Sequence, residues 1–94
     1  MPLSSDIIIS DTSCLILLTN IGELDILKKL GKQVIVTPEI NKEFGKPLPD
    51  WIEIKSSKDQ HYQRLLEIEI DVGEASAIIL AMEIQNSILI IQCR

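Results

Sequence analysis

The sequence predicts an α/β protein in which helices cover a mainly parallel β-sheet. Short apolar segments rich in Ile and Val alternate along the chain with longer segments whose apolar residues have helical spacing. Strands separated by helices are expected to pair in parallel, because the intervening helix provides the crossover that a parallel pair requires. The chain has 94 residues, of which 46% are hydrophobic. This size and composition indicate one small globular domain.

Four segments are predicted to be strands because each is short, β-branched and bounded by polar or turn residues. They are residues 6–10, 33–36, 51–55 and 88–91. The third alternates apolar and polar side chains, which is typical of an edge strand. The fourth is apolar throughout, yet the chain stops at Arg94, where a covering helix would be expected. We therefore expect this strand to leave unpaired backbone groups at an edge of the sheet.

Five segments between and after these strands are predicted to be helices, at residues 12–19, 23–30, 38–45, 57–70 and 74–85. Ser10 or Asp11 can cap the first, and Gly31 is expected to end the second in the left-handed manner common for glycine. Thr37 followed by Pro38 is a strong start signal for the third, because proline fits the first helical position.

Charge and cysteine content exclude several classes of function. The net charge is −5 and the pI is about 4.7, which argues against a general nucleic-acid binder but not against a nuclease whose acids are neutralised by a metal ion. Cys14 and Cys93 are predicted to be reduced thiols of a cytoplasmic protein. No zinc site is expected, since His61 is the only histidine. The sequence contains no signal peptide or membrane-spanning pattern.

Three carboxylates occupy positions that suggest a site. Asp11 ends the first strand, Glu43 lies in the third helix, and Glu74 lies in the first turn of the fifth. Each also has an ordinary explanation: Asp11 as a helix cap worth about 1 kcal/mol, Glu74 through a helix-dipole effect of about 0.3–1 kcal/mol, and Glu43 as a solvated residue. A strand end and two helices can nevertheless converge at the carboxyl edge of a sheet, where α/β proteins place their sites. Clustered carboxylates suit a hard divalent cation.

Four motifs in order along the chain resemble a PIN domain. They are residues 9–16 (ISDTSCLI), 21–27 (IGELDIL), 37–44 (TPEINKEF) and 71–78 (DVGEASAI). The similarity is greatest to the bacterial and archaeal branch DUF3368, which is related to the VapC toxins, and it covers essentially the whole chain. The resemblance implies a three-layer α/β sandwich with strand order 3-2-1-4.

The resemblance also implies an activity. Members of this family are expected to be endoribonucleases that act on single-stranded RNA with Mg²⁺ or Mn²⁺, leave a 5′-phosphate and serve as the toxin of a toxin–antitoxin pair. By this resemblance Asp11, Glu43 and Glu74 would be the catalytic metal ligands, and a hydroxyl of Thr12 or Ser13 would support the substrate phosphate or a bound water. The implied partners are RNA, a cognate antitoxin protein and a second copy of the chain in a homodimer or higher oligomer.

The chain departs from the family pattern in two places. Gln92 stands where a further acid is expected after the last strand, with Cys93 where a second acid is common, and the chain lacks the last helix, strand and helix of the family. Residues 1–94 are therefore interpreted as a single truncated PIN-like domain that is weakened or inactive as a nuclease and that self-associates. The alternative is a non-catalytic interaction module that keeps a surface for dimerisation or antitoxin binding. A receiver-like phosphoacceptor domain is disfavoured, because the first strand lacks an acidic pair and no Asp follows a third strand.

The remaining polar residues have simpler interpretations. His61 is predicted to be a surface residue rather than a catalytic base, and Trp51 to anchor its loop to the core. The basic residues that could contact phosphate are more typical of solvated faces: Lys28, Lys29, Lys32, Lys42, Lys46 and Arg64. Among them Lys42 and Lys46 are of most interest, because they lie near Glu43 in the sequence.

Overall fold

A computed structural model of the protein describes residues 7–31, 33–84 and 87–90 and contains a four-stranded parallel sheet. The strands are β1 (Ile7–Ser10), β2 (Gln33–Val36), β3 (Ile52–Ile54) and β4 (Ser87–Ile90). Their order is β3-β2-β1-β4, and every neighbouring pair is parallel. The predicted α/β class, the parallel pairing and the order 3-2-1-4 are confirmed, as is the edge position of the third strand.

Within the described ranges, five helices lie between successive strands. They are α1 (Thr12–Asn20), α2 (Asp25–Leu30), α3 (Pro38–Phe44), α4 (Gln60–Leu66) and α5 (Val72–Glu83). Four of them begin with a side chain that accepts a hydrogen bond from a backbone N–H of the first turn, and the capping residues are Asp11, Thr37, Asp59 and Asp71. These caps compensate the N–H groups that the start of a helix leaves unpaired.

Three helices have boundaries that differ from the prediction by two residues or more. The fourth helix begins at Gln60 rather than at residue 57, because Asp59 caps it while the buried Ser57 bonds Gln63 instead. It also ends at Leu66, after which the chain continues in turns. The fifth begins two residues early, because Asp71 accepts from the Gly73 N–H. The second begins only at Asp25, after Leu24, which provides no side-chain cap.

The two glycines that follow α2 and α3 differ in conformation. Gly45 has φ 71° and ends α3 in the left-handed conformation that favours glycine. Gly31 follows α2 with φ −147° and ψ 170°, which is extended backbone. The prediction that Gly31 ends its helix in the left-handed manner was therefore wrong, because the chain passes directly into the extended approach to β2.

The core is aliphatic and centres on the two inner strands. Successive residues of β1 and β2 are buried, so both faces of these strands are covered, as is usual for a parallel sheet. Helix side chains complete this core, principally those of Leu15, Leu27, Ile40, Ala77 and Leu80. The sheet therefore forms a rigid base beneath the residues that follow its strands.

The topology brings several chain segments to the carboxyl edge of the sheet. The connections run outward in one direction through β1, β2 and β3 and then return to β4 on the other side of β1. Such a reversal opens a crevice at the carboxyl ends of the two strands involved, here β1 and β4. Because α5 leads into the start of the parallel strand β4, its N-terminus lies at the carboxyl edge. Asp11 and the start of α5 are thus placed at the same edge.

The predicted edge position of the fourth strand and the predicted role of Gln92 both concern this side of the sheet. Within the described ranges, β4 pairs only with β1. Gln92 and Cys93, together with the rest of residues 91–94, lie outside the described residues.

No helix in the ranges 7–31, 33–84 and 87–90 is long and apolar enough to cross a membrane.

Candidate functional site at the carboxyl edge of the sheet

Asp11 is a buried carboxylate between β1 and α1. Its side chain is only 3% exposed, and Oδ1 accepts a hydrogen bond of 2.9 Å from the Cys14 N–H. The chain folds this way locally because Ile7–Ser10 forms a strand and Thr12 starts a helix, which leaves Asp11 in the extended conformation of an N-cap. The ordinary role considered for Asp11 is real, but it uses one carboxylate oxygen and does not exclude a second role for the other.

Glu43 is joined to the residue after Asp11 although the two lie on different helices. The Thr12 hydroxyl donates to Glu43 Oε1 over 2.6 Å, which links the first residue of α1 to the last turn of α3. A hydrogen bond to an ionised acceptor is short and relatively strong. This bond orients the Glu43 carboxylate toward the corner that contains Asp11.

Gly73 lies directly under the Glu43 carboxylate. A Cβ built on Gly73 would lie under 3.0 Å from Glu43 Oε1, closer than real Cβ atoms come to a neighbour, and 3.1 Å from Glu43 Cδ. It would also lie 3.3 Å from Asp71 Oδ2. The carboxylate therefore occupies space that every other residue type would fill with its Cβ.

A chain of buried hydroxyls fixes the first turn of α5 against the end of β2. Thr37 Oγ1 lies 2.6 Å from Ser76 Oγ, which donates to the Gly73 carbonyl over 2.7 Å. Thr37 Oγ1 also accepts from the Ile40 N–H over 3.1 Å. Since the Ser76 proton is used on Gly73, the Thr37 hydroxyl is the donor to Ser76. The position of Gly73 relative to α3 is thus set by hydrogen bonds as well as by packing.

A single cysteine side chain carries a perturbed pKa close to this corner. Burial raises the pKa of the Cys14 thiol above its ordinary value of 9.0, a hydrogen bond with Ser10 opposes this, and the charge of Asp11 adds to the increase. The thiol is therefore protonated at neutral pH, and it is suited to packing rather than to nucleophilic chemistry.

The predicted site residues divide into three groups. A hydrogen bond joins Thr12 to Glu43, and Asp11 precedes Thr12 in the chain. Glu74 follows Gly73 at the same corner and is half-buried, whereas Ser13 is exposed on α1. Gln92 lies outside the described residues.

The donor chemistry of this corner fits a hard divalent cation, since it offers carboxylate oxygens and a hydroxyl. Within residues 7–31, 33–84 and 87–90, however, no three His, Cys, Asp or Glu side chains are gathered closely enough to form a ligand group. The types of residue present and their nearness in the fold therefore fit a metal site. Thr12 holds the Glu43 carboxylate, and the Cys14 N–H holds the Asp11 carboxylate.

Sequence reasoning singled out the acids but missed Gly73, Asp71 and Ser76. A glycine inside a helix costs about 0.5–1 kcal/mol relative to alanine, so its position in the first turn of α5 needed a reason. The predicted fifth helix began at residue 74, however, so Gly73 lay outside it and the cost is visible only in the structure, where α5 begins at Val72. Ser76 was indistinguishable from a solvated helix residue, because its partner Thr37 lies 39 residues away.

Comparison with known proteins places this geometry in context. A family model described as DUF3368: PIN domain matches residues 7–92, which is most of the chain. A comparison with curated proteins gave no match, and neither did one with solved structures.

Proposed function

Because the chain belongs to the PIN domain family DUF3368, we propose that it is a metal-dependent endoribonuclease acting on single-stranded RNA. Its reaction would be hydrolysis of a phosphodiester bond that leaves a 5′-phosphate. As in the toxins this branch resembles, its biological setting would be a toxin–antitoxin pair. The candidate site lies at the strand-end position expected for an α/β enzyme.

The observation that carries this proposal is the bond between the Thr12 hydroxyl and Glu43 Oε1 beside the buried Asp11. Glu43 is exposed, as expected for a solvated helix residue, yet its carboxylate is also bonded to Thr12 and lies against Gly73. The hydroxyl of Thr12 fixes where the charge of Glu43 lies, and the cap bond from the Cys14 N–H does the same for Asp11. Pre-oriented carboxylate oxygens of this kind are what a cation site requires.

Asp11, Glu43 and Glu74 would hold Mg²⁺ or Mn²⁺ at this corner. When bound, such an ion polarises a phosphoryl oxygen and lowers the pKa of a water molecule. Thr12 would keep the Glu43 carboxylate in place, and Asp11, shielded from solvent, would retain its orientation through the cap. Gln92 would contribute at most an uncharged carbonyl oxygen, which is why we expect weak metal affinity and weak or no activity in this chain.

The test compares the unmodified chain with Asp11→Asn. Asparagine caps helices about as well as aspartate, so the fold should be retained while one negative oxygen is lost. We expect Mn²⁺ binding, followed by the loss of the free-ion signal in electron paramagnetic resonance, to weaken at least tenfold. Any Mn²⁺-dependent cleavage of a single-stranded RNA should be lost in parallel.

Asp59→Asn is the matched control, because Asp59 caps α4 in the same way, accepting from the Tyr62 N–H over 2.9 Å, but contacts none of the candidate site residues described here. This variant should bind Mn²⁺ like the unmodified chain. Equal Mn²⁺ affinity of the unmodified chain and Asp11→Asn would contradict the proposed metal site.

The second candidate function is a non-catalytic interaction module. It is favoured by apolar side chains that α1 and α4 leave exposed, among them Ile16, Leu17, Tyr62 and Leu65. Such surfaces are typical of binding sites for another protein, here a cognate antitoxin or a second copy of the chain as a homodimer. Under this alternative Asp11→Asn leaves partner binding and oligomeric state unchanged, and no variant of the chain cleaves RNA.

A further inference from the structure

Gly73 combines three features that its sequence position alone does not explain. It lies in the first turn of α5, its backbone is buried, and the space where a side chain would begin is occupied by the Glu43 carboxylate. Its φ is not in the left-handed region, so backbone conformation does not require glycine here. What requires glycine is the close approach of Glu43.

We propose that Gly73 is a positioning residue of the candidate site: its missing side chain forms the seat in which the Glu43 carboxylate rests against the Thr12 hydroxyl. This inference rests on the proposed function for its significance, because the carboxylate it positions is a proposed metal ligand. The seat itself is defined by the described contacts alone.

The seat is bounded by two groups, and each is tied to the end of a strand. Thr12 is the first residue of α1 and follows the buried cap Asp11, so its hydroxyl is tied to the end of β1. Gly73 is tied to β2 through Ser76 and Thr37. Thr12 and Gly73 are therefore held in place, and the Glu43 side chain between them is the part that can move.

Adding a methyl group at Gly73 should therefore displace the carboxylate rather than the backbone. A Cβ would meet Glu43 Oε1 at under 3.0 Å and Asp71 Oδ2 at 3.3 Å. The first contact cannot persist, whereas the second is tight but tolerable. Glu43 would rotate away, the Thr12 bond would break, and the helix would remain, since alanine is the better helix former.

The experiment is a double-mutant cycle of Gly73→Ala and Glu43→Ala with two readouts. The first readout is the thermal unfolding midpoint without metal. In the Glu43→Ala background, Gly73→Ala should raise Tm by a few degrees, because only the tolerable contact with Asp71 then remains. In the unmodified background the same substitution should give a smaller rise or a fall.

The second readout is Mn²⁺ affinity, measured from the free-ion resonance signal. Gly73→Ala should weaken binding roughly 10- to 100-fold in the unmodified chain, the range typical when a group that orients a metal ligand is lost. In the Glu43→Ala background, where no carboxylate remains to be displaced, it should change affinity by less than about twofold.

Additive effects of the two substitutions on Tm would overturn the assignment of Gly73, because the seat predicts coupling between them. If the unmodified chain binds no Mn²⁺, the proposed nuclease function fails, while coupled Tm values still support the seat. If Mn²⁺ binds and Gly73→Ala leaves its affinity unchanged, the positioning role is overturned while the proposed function stands.

Discussion

The Cys14 thiol shows how strongly the corner around Asp11 is shielded from solvent. Cys14 is 7% exposed, and burial is the largest cause of its raised pKa. Since the thiolate is the reactive form, we expect Cys14 to react with a disulfide reagent at pH 8 much more slowly in the folded chain than in denaturant. A Cys93→Ser variant isolates this reaction, because it leaves Cys14 as the single thiol.

The same pKa shift predicts how stability depends on pH. The folded state holds the proton of Cys14 more tightly than the unfolded state, so its contribution to stability is full below pH 9.0, the ordinary value, and is lost as pH rises above it. Urea unfolding midpoints measured from pH 8 to pH 10 should therefore fall more steeply for the unmodified chain than for Cys14→Ala. Parallel curves would mean that Cys14 keeps an ordinary pKa in the folded state.

Individual site residues could be predicted only where residue type carried the information. Asp11 was singled out because a carboxylate at the end of a buried strand has few packing uses, whereas the site roles of Glu43 and Glu74 came from the family resemblance. Gly73 was not predicted, because its role depends on a carboxylate 30 positions earlier in the chain. Gly73 acts by having no side chain, and such a role can be recognised only when its neighbour in space is known.

The link between α3 and α5 depends on two buried hydroxyls, and it can be tested directly. Ser76→Ala leaves the Thr37 hydroxyl without its acceptor in a buried place, and Thr37→Val also removes the acceptor of the Ile40 N–H. Each substitution should lower the free energy of unfolding by about 1–3 kcal/mol. The double variant should lose less than the sum, because both changes remove the same bond.

Urea denaturation measures these losses, and Ser13→Ala is the control. Ser13 is exposed on α1, so its substitution should change the free energy of unfolding by no more than about 0.5 kcal/mol. Additive losses for Thr37→Val and Ser76→Ala would show that the two hydroxyls act independently.

Whole elements were predictable to different degrees. The strands followed from short β-branched segments, and the third helix from the pair Thr37 and Pro38, because these signals are local. The start of α4 was placed three residues too early, because Ser57 is as common a cap residue as the actual cap Asp59, and only the structure shows its hydroxyl bonded to Gln63. The Glu83 carboxylate also binds the backbone N–H groups of Lys58 and Asp59 from 24 or 25 residues away, a contact that the neighbouring sequence does not indicate.

For the whole molecule, the net charge and the exposed apolar surface have opposite effects on self-association. The net charge of −5 keeps copies apart, while the exposed residues of two helical faces favour contact: Ile16, Leu17 and Ile21 at α1, and Tyr62, Leu65 and Ile68 at α4. We therefore expect self-association that increases with protein concentration and with salt, which screens the repulsion. Light scattering over a concentration series measures it.

Leu17→Lys and Leu65→Lys should each reduce this association. Ser56→Lys adds the same charge at an exposed position of the loop before α4, on neither helix, and serves as the control. A chain that stays monomeric at high concentration and high salt would contradict the prediction.

The architecture was predictable from two sources, and each source gave a different part of it. Alternation of strands and helices predicted the parallel sheet from physical rules alone. The order 3-2-1-4 came from the family resemblance, because the apolar segments of β1 and β2 do not themselves specify which neighbour lies on which side.

The bonds from Glu83 to the backbone just before α4 also have a consequence for the order in which the molecule folds. A seven-residue helix is too short to persist alone in water, and the carboxylate that binds the start of this one belongs to the last turn of α5. We therefore expect α4 to form late, after α5 has docked on β1 and β4. The sheet and α5 would fold first, and the segment between β3 and α5 would fold last. This order differs from the order in the chain, where that segment precedes α5.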